Sequence, residues 1–218
     1  MAKNLPNIEY KKTKKNPTLD ADTSMYELPF YKDADYLSNL DNFVSFIKAV
    51  EQLVRTSKYY KRYIKYIKED VGLNFCEVLS NIAVDDENAL TKIEMHHGPI
   101  LTLFDYATII TDWMLANNKK ITTFSVADLL LEEHFNNNIQ VVMLSETVHE
   151  LVHDGKVFLN IKHAFGDLNT FLNKYHDGVS PETLTKINKY LDTCRKYDSF
   201  DKNTLDLAVT VKSWSLYE

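Results

Sequence analysis

The stretch Ile93-Glu94-Met95-His96-His97-Gly98-Pro99 places two adjacent histidines at the end of a short apolar segment, just before a Gly-Pro break. This pattern predicts a β-strand over residues 91–97 that ends at the glycine. Adjacent side chains of a strand point to opposite faces, so His96 and His97 cannot both bind one metal ion from a regular strand. The pair therefore predicts two different roles and requires partners elsewhere in the chain.

The composition of the 218-residue chain is typical of a folded protein with one main core. Hydrophobic residues make up 44% of the chain and aromatic residues 12%, whereas the five glycines and five prolines are too few for a loop-rich all-β fold. No run approaches the roughly 18 apolar residues of a membrane span, and the N-terminus lacks a signal-peptide pattern. With only two cysteines, the chain is expected in a reducing cytoplasm.

The distribution of charged and apolar residues divides the chain into three regions. Residues 1–20, which include a lysine-rich run, are predicted to form a mobile basic arm, with a plain solvated tail as the alternative. Residues 21–72 form an N-terminal helical region, because apolar side chains follow helical spacing from Leu37 to Ile67, with a possible interruption at Thr56-Ser57. Residues 73–218 form the third region, which contains the remaining elements and ends in helices.

Turn signals and apolar runs predict the elements of the third region and a mostly helical α+β fold. Strands are expected at 73–84, at 91–97, in the run after Asn138, at 156–161 and at 205–214. Helices are expected at about 103–117, 125–136, 145–155, 167–175 and 181–197. Ser145 and Ser180 are the expected N-caps of the third and fifth of these helices, and Thr123 or Ser125 that of the second.

The run KYYKRYIKYIK at 58–68 interleaves basic and aromatic side chains. The net charge of the whole chain is −6, so this excess of cations is local. Basic side chains could contact phosphates while tyrosine rings stack on bases, which predicts DNA binding. The residues concerned are Lys58, Lys61, Arg62 and Lys65. The alternative is an ordinary amphipathic helix whose tyrosine face belongs to the core.

A second pair of histidines, His149 and His153, lies four residues apart in the predicted helix 145–155. Residues at that spacing share a helix face, with Cβ atoms within about 6 Å, so both imidazoles can bind one divalent metal ion. A further ligand must come from elsewhere, and the His96-His97 pair is the candidate. If one of these two faces the metal, the other is free to remove a proton from water, a division that suits phosphodiester hydrolysis.

These segments resemble the HNH endonucleases, the ββα-metal or His-Me finger group. IEMHH (93–97) is similar to the first strand of that family, NNNIQVVMLS (136–145) to its Asn-bearing turn and second strand, and VHELVHDGK (148–156) to its closing helix. The resemblance implies a small ββα-metal core in which His96, His149 and His153 are metal ligands and His97 is the general base. It also implies an asparagine that orients the base. The chain is further similar to phage-encoded proteins of this type, which places it in the cytoplasm of a bacterial host.

The chain departs from the family pattern in three places. About 40 residues separate His97 from the second strand, which predicts a helical insertion at about 100–135. Counting back from His149 places Gln140 where the family has asparagine, so Asn138, two positions earlier, is the candidate orienting residue. The Cys-x-x-Cys pairs that bind structural zinc in many members are absent.

Three functions follow from these motifs. The first is a metal-dependent endonuclease that hydrolyses DNA with one divalent ion, Mg²⁺, Mn²⁺ or Zn²⁺. The second is a non-catalytic phage protein that binds nucleic acid or another protein and holds a structural metal. The third is a zinc peptidase, because HELVH at 149–153 fits the His-Glu-x-x-His pattern. In that case Glu150 is the general base, and a third ligand comes from His163, Asp167 or His176.

Overall fold

The computed structural model describes residues 31–79 and 92–197. The first range contains helices α1 (Ala34–Ser38), α2 (Leu40–Thr56) and α3 (Lys58–Glu69). The predicted interruption at Thr56-Ser57 is confirmed. Ser57 leaves the helical conformation, with ψ at 148°, and its hydroxyl accepts a hydrogen bond from the Tyr60 amide at the start of α3.

The second range contains two strands among further helices, so the prediction of a mostly helical α+β fold is confirmed. In chain order these are β1 (Ile93–His97), α4 (Leu103–Ala116), α5 (Thr123–Phe135), β2 (Val141–Ser145), α6 (Glu146–His153), α7 (Leu168–Lys174) and α8 (Pro181–Tyr197). Single turns of 3₁₀ helix lie at Ile161–His163 and His176–Gly178. No helix in these two ranges is both long and apolar enough to cross a membrane.

The two strands pair antiparallel, in a register that sets His96 opposite Val142 and His97 opposite Val141. β2 runs directly into α6, whose N-cap is Ser145, as predicted. The other edge of β2 contacts single residues: Val141 exchanges two backbone hydrogen bonds with Phe165, and the Glu77 amide donates to the Met143 carbonyl. The helix α6 packs against both strands, which places it beside β1.

The helices α4 and α5 connect the two strands. Both pack against α2 and against each other, and α5 also contacts α3. The N-cap of α5 is Thr122, which forms a capping box with Ser125, so the predicted cap at Thr123 or Ser125 is wrong by one to three residues. The predicted helical insertion at about 100–135 thus corresponds to two helices that form part of the main core.

Two predicted strands are not formed in the part of the chain that the structure describes. Of the predicted strand 73–84, residues 73–79 are irregular, and residues 80–84 lie outside the described residues. In the 156–161 run, Leu159 and Ile161 are buried without a partner strand, and Asn160 caps a 3₁₀ turn by accepting from the Lys162 amide. The predicted basic arm (1–20) and the predicted strand at 205–214 lie outside the described residues.

Candidate metal centre

Three of the histidines meet between β1 and α6. His96 projects from β1, and His149 and His153 project from one face of α6. One ring nitrogen of each lies within 4.8 Å of the corresponding nitrogens of the other two. The ring centroid of His96 is 5.0 Å from that of His149 and 5.2 Å from that of His153. The structure therefore brings together the three residues that the sequence singled out as metal ligands.

A carboxylate orients one of these rings. His149 Nδ1 lies 2.7 Å from Glu94 Oε2, and Glu94 is on the same strand face as His96 because it is two residues away. An Nδ1–H that donates to this carboxylate leaves the lone pair on Nε2, which faces His153 Nε2 at 3.0 Å. A carboxylate behind a ligating imidazole is the usual supporting contact of a protein metal site.

Burial and the two neighbouring imidazoles keep the His96 ring neutral. Burial is the main cause that lowers the pKa of His96 to about 4, and the nearby His149 and His153 rings act in the same direction. His96 is thus in its ligating form at neutral pH. Three imidazole ligands with one open position suit a tetrahedral borderline metal such as Zn²⁺ better than Mg²⁺, which prefers oxygen ligands.

His97, the predicted general base, lies on the opposite face of β1 and within the core. It is 6% exposed, and its Nε2 is 2.9 Å from His134 Nε2. His134 Nδ1 is 2.6 Å from the Leu130 carbonyl and donates to it, so His134 Nε2 accepts from the His97 Nε2–H. Tyr60 stacks on the His97 ring. The structure therefore separates His97 from the three-histidine cluster, and sequence reasoning missed its partner His134.

Asn138, the predicted orienting residue, contacts a different group. Its side-chain amide donates to Glu133 Oε2 at 2.6 Å. Gln140, the other candidate, donates its backbone amide to the Tyr106 hydroxyl, and its buried Oε1 has no hydrogen-bond partner among the described residues. The buried carboxylate of Glu133 was not singled out in the sequence, because a single acid in an amphipathic helix gives no signal of burial.

Of the residues that the peptidase pattern requires, His149 and His153 lie in the cluster, but none of the proposed downstream third ligands does. Glu150 is exposed on α6, and the third ring comes from upstream His96. Of the downstream candidates, Asp167 caps α7 by accepting from the Thr170 amide, and His176 pairs with its neighbour Asp177. His163 ends a 3₁₀ turn. Among the described residues, the metal-competent group contains none of the three.

The basic residues predicted to bind DNA lie on the exposed side of α3. They are Lys58, Lys61, Arg62 and Lys65. The alternating tyrosines divide between two environments: Tyr60 and Tyr63 are buried, whereas Tyr59 is 49% exposed between the charged ends of Lys58 and Arg62. The helix is therefore amphipathic with a tyrosine-containing core face, and DNA binding by its cationic face stays a prediction.

Fold and site together define a mostly helical α+β protein with a three-histidine cluster between a two-stranded sheet and a short helix. The family model described as Bacteriophage G278-like virion protein matches residues 3–212, so the chain belongs to that family. This membership agrees with the expected phage origin, whereas the HNH resemblance and the host-cytoplasm location stay predictions. No curated protein and no solved structure matches the chain.

Proposed function

We propose that this virion protein is a non-catalytic structural component of the phage particle that binds one divalent transition-metal ion through His96, His149 and His153. The observation that carries the proposal is the convergence of three imidazole nitrogens from β1 and α6 within 4.8 Å. Membership of a virion-protein family favours a structural role. The burial of His97 on the other face of the strand favours a site without a general base.

The ion would fix α6 to the sheet. This helix has only eight residues, and Val148 is the buried one. Helices of that length are marginal without tertiary support, and one buried valine contributes only about 1.5–3 kcal/mol. A metal bound by one ring from β1 and two from α6 cross-links the two elements. We therefore assign the metal a stabilising role, with zinc the best match to an all-nitrogen ligand set.

Metal removal tests this assignment. We expect the purified full chain to contain about one equivalent of zinc by elemental analysis, and EDTA to lower its Tm by roughly 5–10 °C. This shift assumes free metal at about a hundred times its Kd, which corresponds to about 2.7 kcal/mol. Differential scanning calorimetry with and without EDTA measures the shift.

The matched variants are His153→Ala and His176→Ala. Both rings are largely exposed, so their removal should cost little by itself, but only His153 belongs to the cluster. We expect His153→Ala to have the Tm of the EDTA-treated protein and to respond no further to EDTA. His176→Ala should behave like the parent chain. The proposal would be contradicted if the parent protein contained no zinc and if neither added zinc nor EDTA changed its Tm.

A metal-dependent endonuclease is the second candidate function. It is favoured by the order β1, β2, α6 with histidines on the first and last element, and by the coordination position that three ligands leave open. Because His97 is buried, any attacking water would have to be activated by the metal itself. Incubation with supercoiled plasmid and Mg²⁺, Mn²⁺ or Zn²⁺ tests this. EDTA-sensitive nicks that disappear in His153→Ala would support it, and intact plasmid under all three metals would exclude it.

A further inference from the structure

A cleft of about 610 Å³ lies between β1 on one side and, on the other, the C-terminal end of α2 and the length of α3. Its lining combines charged side chains with a few apolar ones: Arg55, Tyr60, Ile64, Lys68, Lys92, Ile93, Glu94, Met95 and His149. The first four come from α2 and α3, and the next four from β1 and the residue before it. The metal-competent nitrogens of the cluster lie beside this cleft, since His149 and Glu94 form part of its wall.

The cleft has an excess of positive charge. Arg55, Lys68 and Lys92 contribute three cations, and Glu94 is the one acid in the lining. One oxygen of that acid is engaged by His149 Nδ1. Within residues 31–79 and 92–197, neither lysine has a carboxylate oxygen within 4.0 Å, and Arg55 reaches only Glu51, at 3.8 Å. The side chains of the lining therefore sum to a formal charge of about +2, and Glu51, outside the lining, balances Arg55 in part.

The position of Lys68 is fixed by the backbone of β1. Its ammonium donates to the Ile93 carbonyl at 2.7 Å, which uses one of its three donors. The strand register explains this contact. The Glu146 amide donates to the Lys92 carbonyl and the Gly98 amide donates to the Gln140 carbonyl, so Lys92 and Gly98 both bond toward β2. Because the backbone groups of an antiparallel strand point alternately toward and away from the partner strand, the Ile93 carbonyl points away from β2. Burial lowers the pKa of Lys68, as expected for an ammonium partly removed from water.

We propose that this cleft is an anion site for a phosphate group, bound by Arg55, Lys68 and Lys92. A phosphate carries a charge of about −1.5 to −2 at neutral pH and so matches the excess charge of the lining better than a single carboxylate does. A guanidinium presents paired donors that fit phosphate oxygens, and each ammonium supplies further donors. The site adjoins the three-histidine cluster, since His149 forms part of the cleft wall, but none of the three proposed phosphate-binding residues is a candidate metal ligand.

The phosphate could be a free ion or part of a nucleic-acid backbone. The cationic face of α3 leads toward the cleft, because Lys61, Lys65 and Lys68 follow one another at helical spacing. A nucleic-acid strand that lies along this face would place a backbone phosphate near Lys68. The chemistry of recognition is the same for both sources, and the salt dependence of binding separates them.

Calorimetric titration of the EDTA-treated full chain with inorganic phosphate tests the site. We expect saturable binding at one site, with acetate binding at least tenfold more weakly. Lys68→Met should weaken phosphate binding about tenfold or more, and so should Arg55→Met. The control is Lys189→Met, an exposed lysine on α8 that is not in the cleft lining. Circular dichroism and the Tm establish that each variant is folded.

A second titration with a short single-stranded DNA identifies the source. If the cleft holds a backbone phosphate, Lys68→Met should reduce the slope of log K against log salt by about 0.7, and the DNA should bind more tightly than free phosphate. If it holds only a free ion, added phosphate should not compete with the DNA, and the DNA slope should not change in the variant. Phosphate binding that is absent, equal in Lys68→Met, Arg55→Met and parent, or present only after zinc is added would overturn the proposal. The last result would place the anion on the metal.

Discussion

Replacement of Lys174 by methionine is expected to lower the free energy of unfolding by about 3 kcal/mol. The lysine is the cationic partner of Glu133, whose side chain is completely buried. Removing one member of a buried ion pair leaves an uncompensated charge and usually costs about 3–5 kcal/mol. We expect the low end of that range, because the Lys174 side chain is 42% exposed and because the Tyr175 hydroxyl and the Asn138 amide still donate to Oε1 and Oε2. Urea denaturation, with the same m value for the parent and the variant, measures the change in the free energy of unfolding.

Two further variants show whether the expected loss of stability comes from the buried Glu133 carboxylate or simply from breaking an ion pair. In Lys65→Met the lost partner is Glu69, whose side chain is 62% exposed, so the expected cost is below about 0.5 kcal/mol. Adding Glu133→Gln to Lys174→Met should recover part of the loss, because the buried charge is then gone while the introduced amide oxygen can still accept a hydrogen bond. Equal effects of Lys174→Met and Lys65→Met would show that the buried carboxylate is not the cause.

The sequence predicted the helices and their signals well because these are local. Ser145 caps α6 and Ser180 accepts from the Thr183 amide at the start of α8, both as expected from residue type alone. Local rules also predicted the faces on which the candidate ligands lie, whereas the meeting of His96 with His149 and His153 was implied by the HNH resemblance. Strand alternation put His96 and His97 on opposite faces, and the spacing of four put His149 and His153 on one face.

The predictions that were wrong concern contacts between residues that are far apart in the sequence. The runs at 73–79 and 156–161 have the apolar character of strands, but a strand also needs a free partner edge, which the sequence does not reveal. The ring of His97 meets that of His134, 37 residues away, and Glu133 meets Lys174 across 41 residues. Neither pair has a characteristic spacing. As a result, a core imidazole was predicted to be a general base, and the partner of Asn138 was missed.

Acid should destabilise the protein through the His97–His134 pair. Burial lowers the pKa of His134 to about 4 and that of His97 well below its ordinary value, in each case as the largest effect. In the unfolded chain both titrate near 6.5, so between about pH 6.5 and 4 the unfolded state binds more protons than the folded state. Stability is therefore complete above about pH 6.5 and falls as the pH decreases. His134 alone should account for a loss on the order of 3 kcal/mol by about pH 4.

The variant His134→Gln isolates this effect, because glutamine can accept from His97 and donate to the Leu130 carbonyl without titrating. Urea unfolding in EDTA at about pH 5 to 6.5, above the main range of carboxylate titration, gives the slope of stability against pH. The parent slope should exceed that of His134→Gln by roughly 1 kcal/mol per pH unit on average, because the unfolded histidine is only half protonated at pH 6.5. His176→Gln removes a histidine whose side chain is 63% exposed and should keep the parent slope. Identical slopes in parent and His134→Gln would mean that the buried pair does not control the acid response, whereas the expected difference would identify a neutral imidazole pair as part of the core.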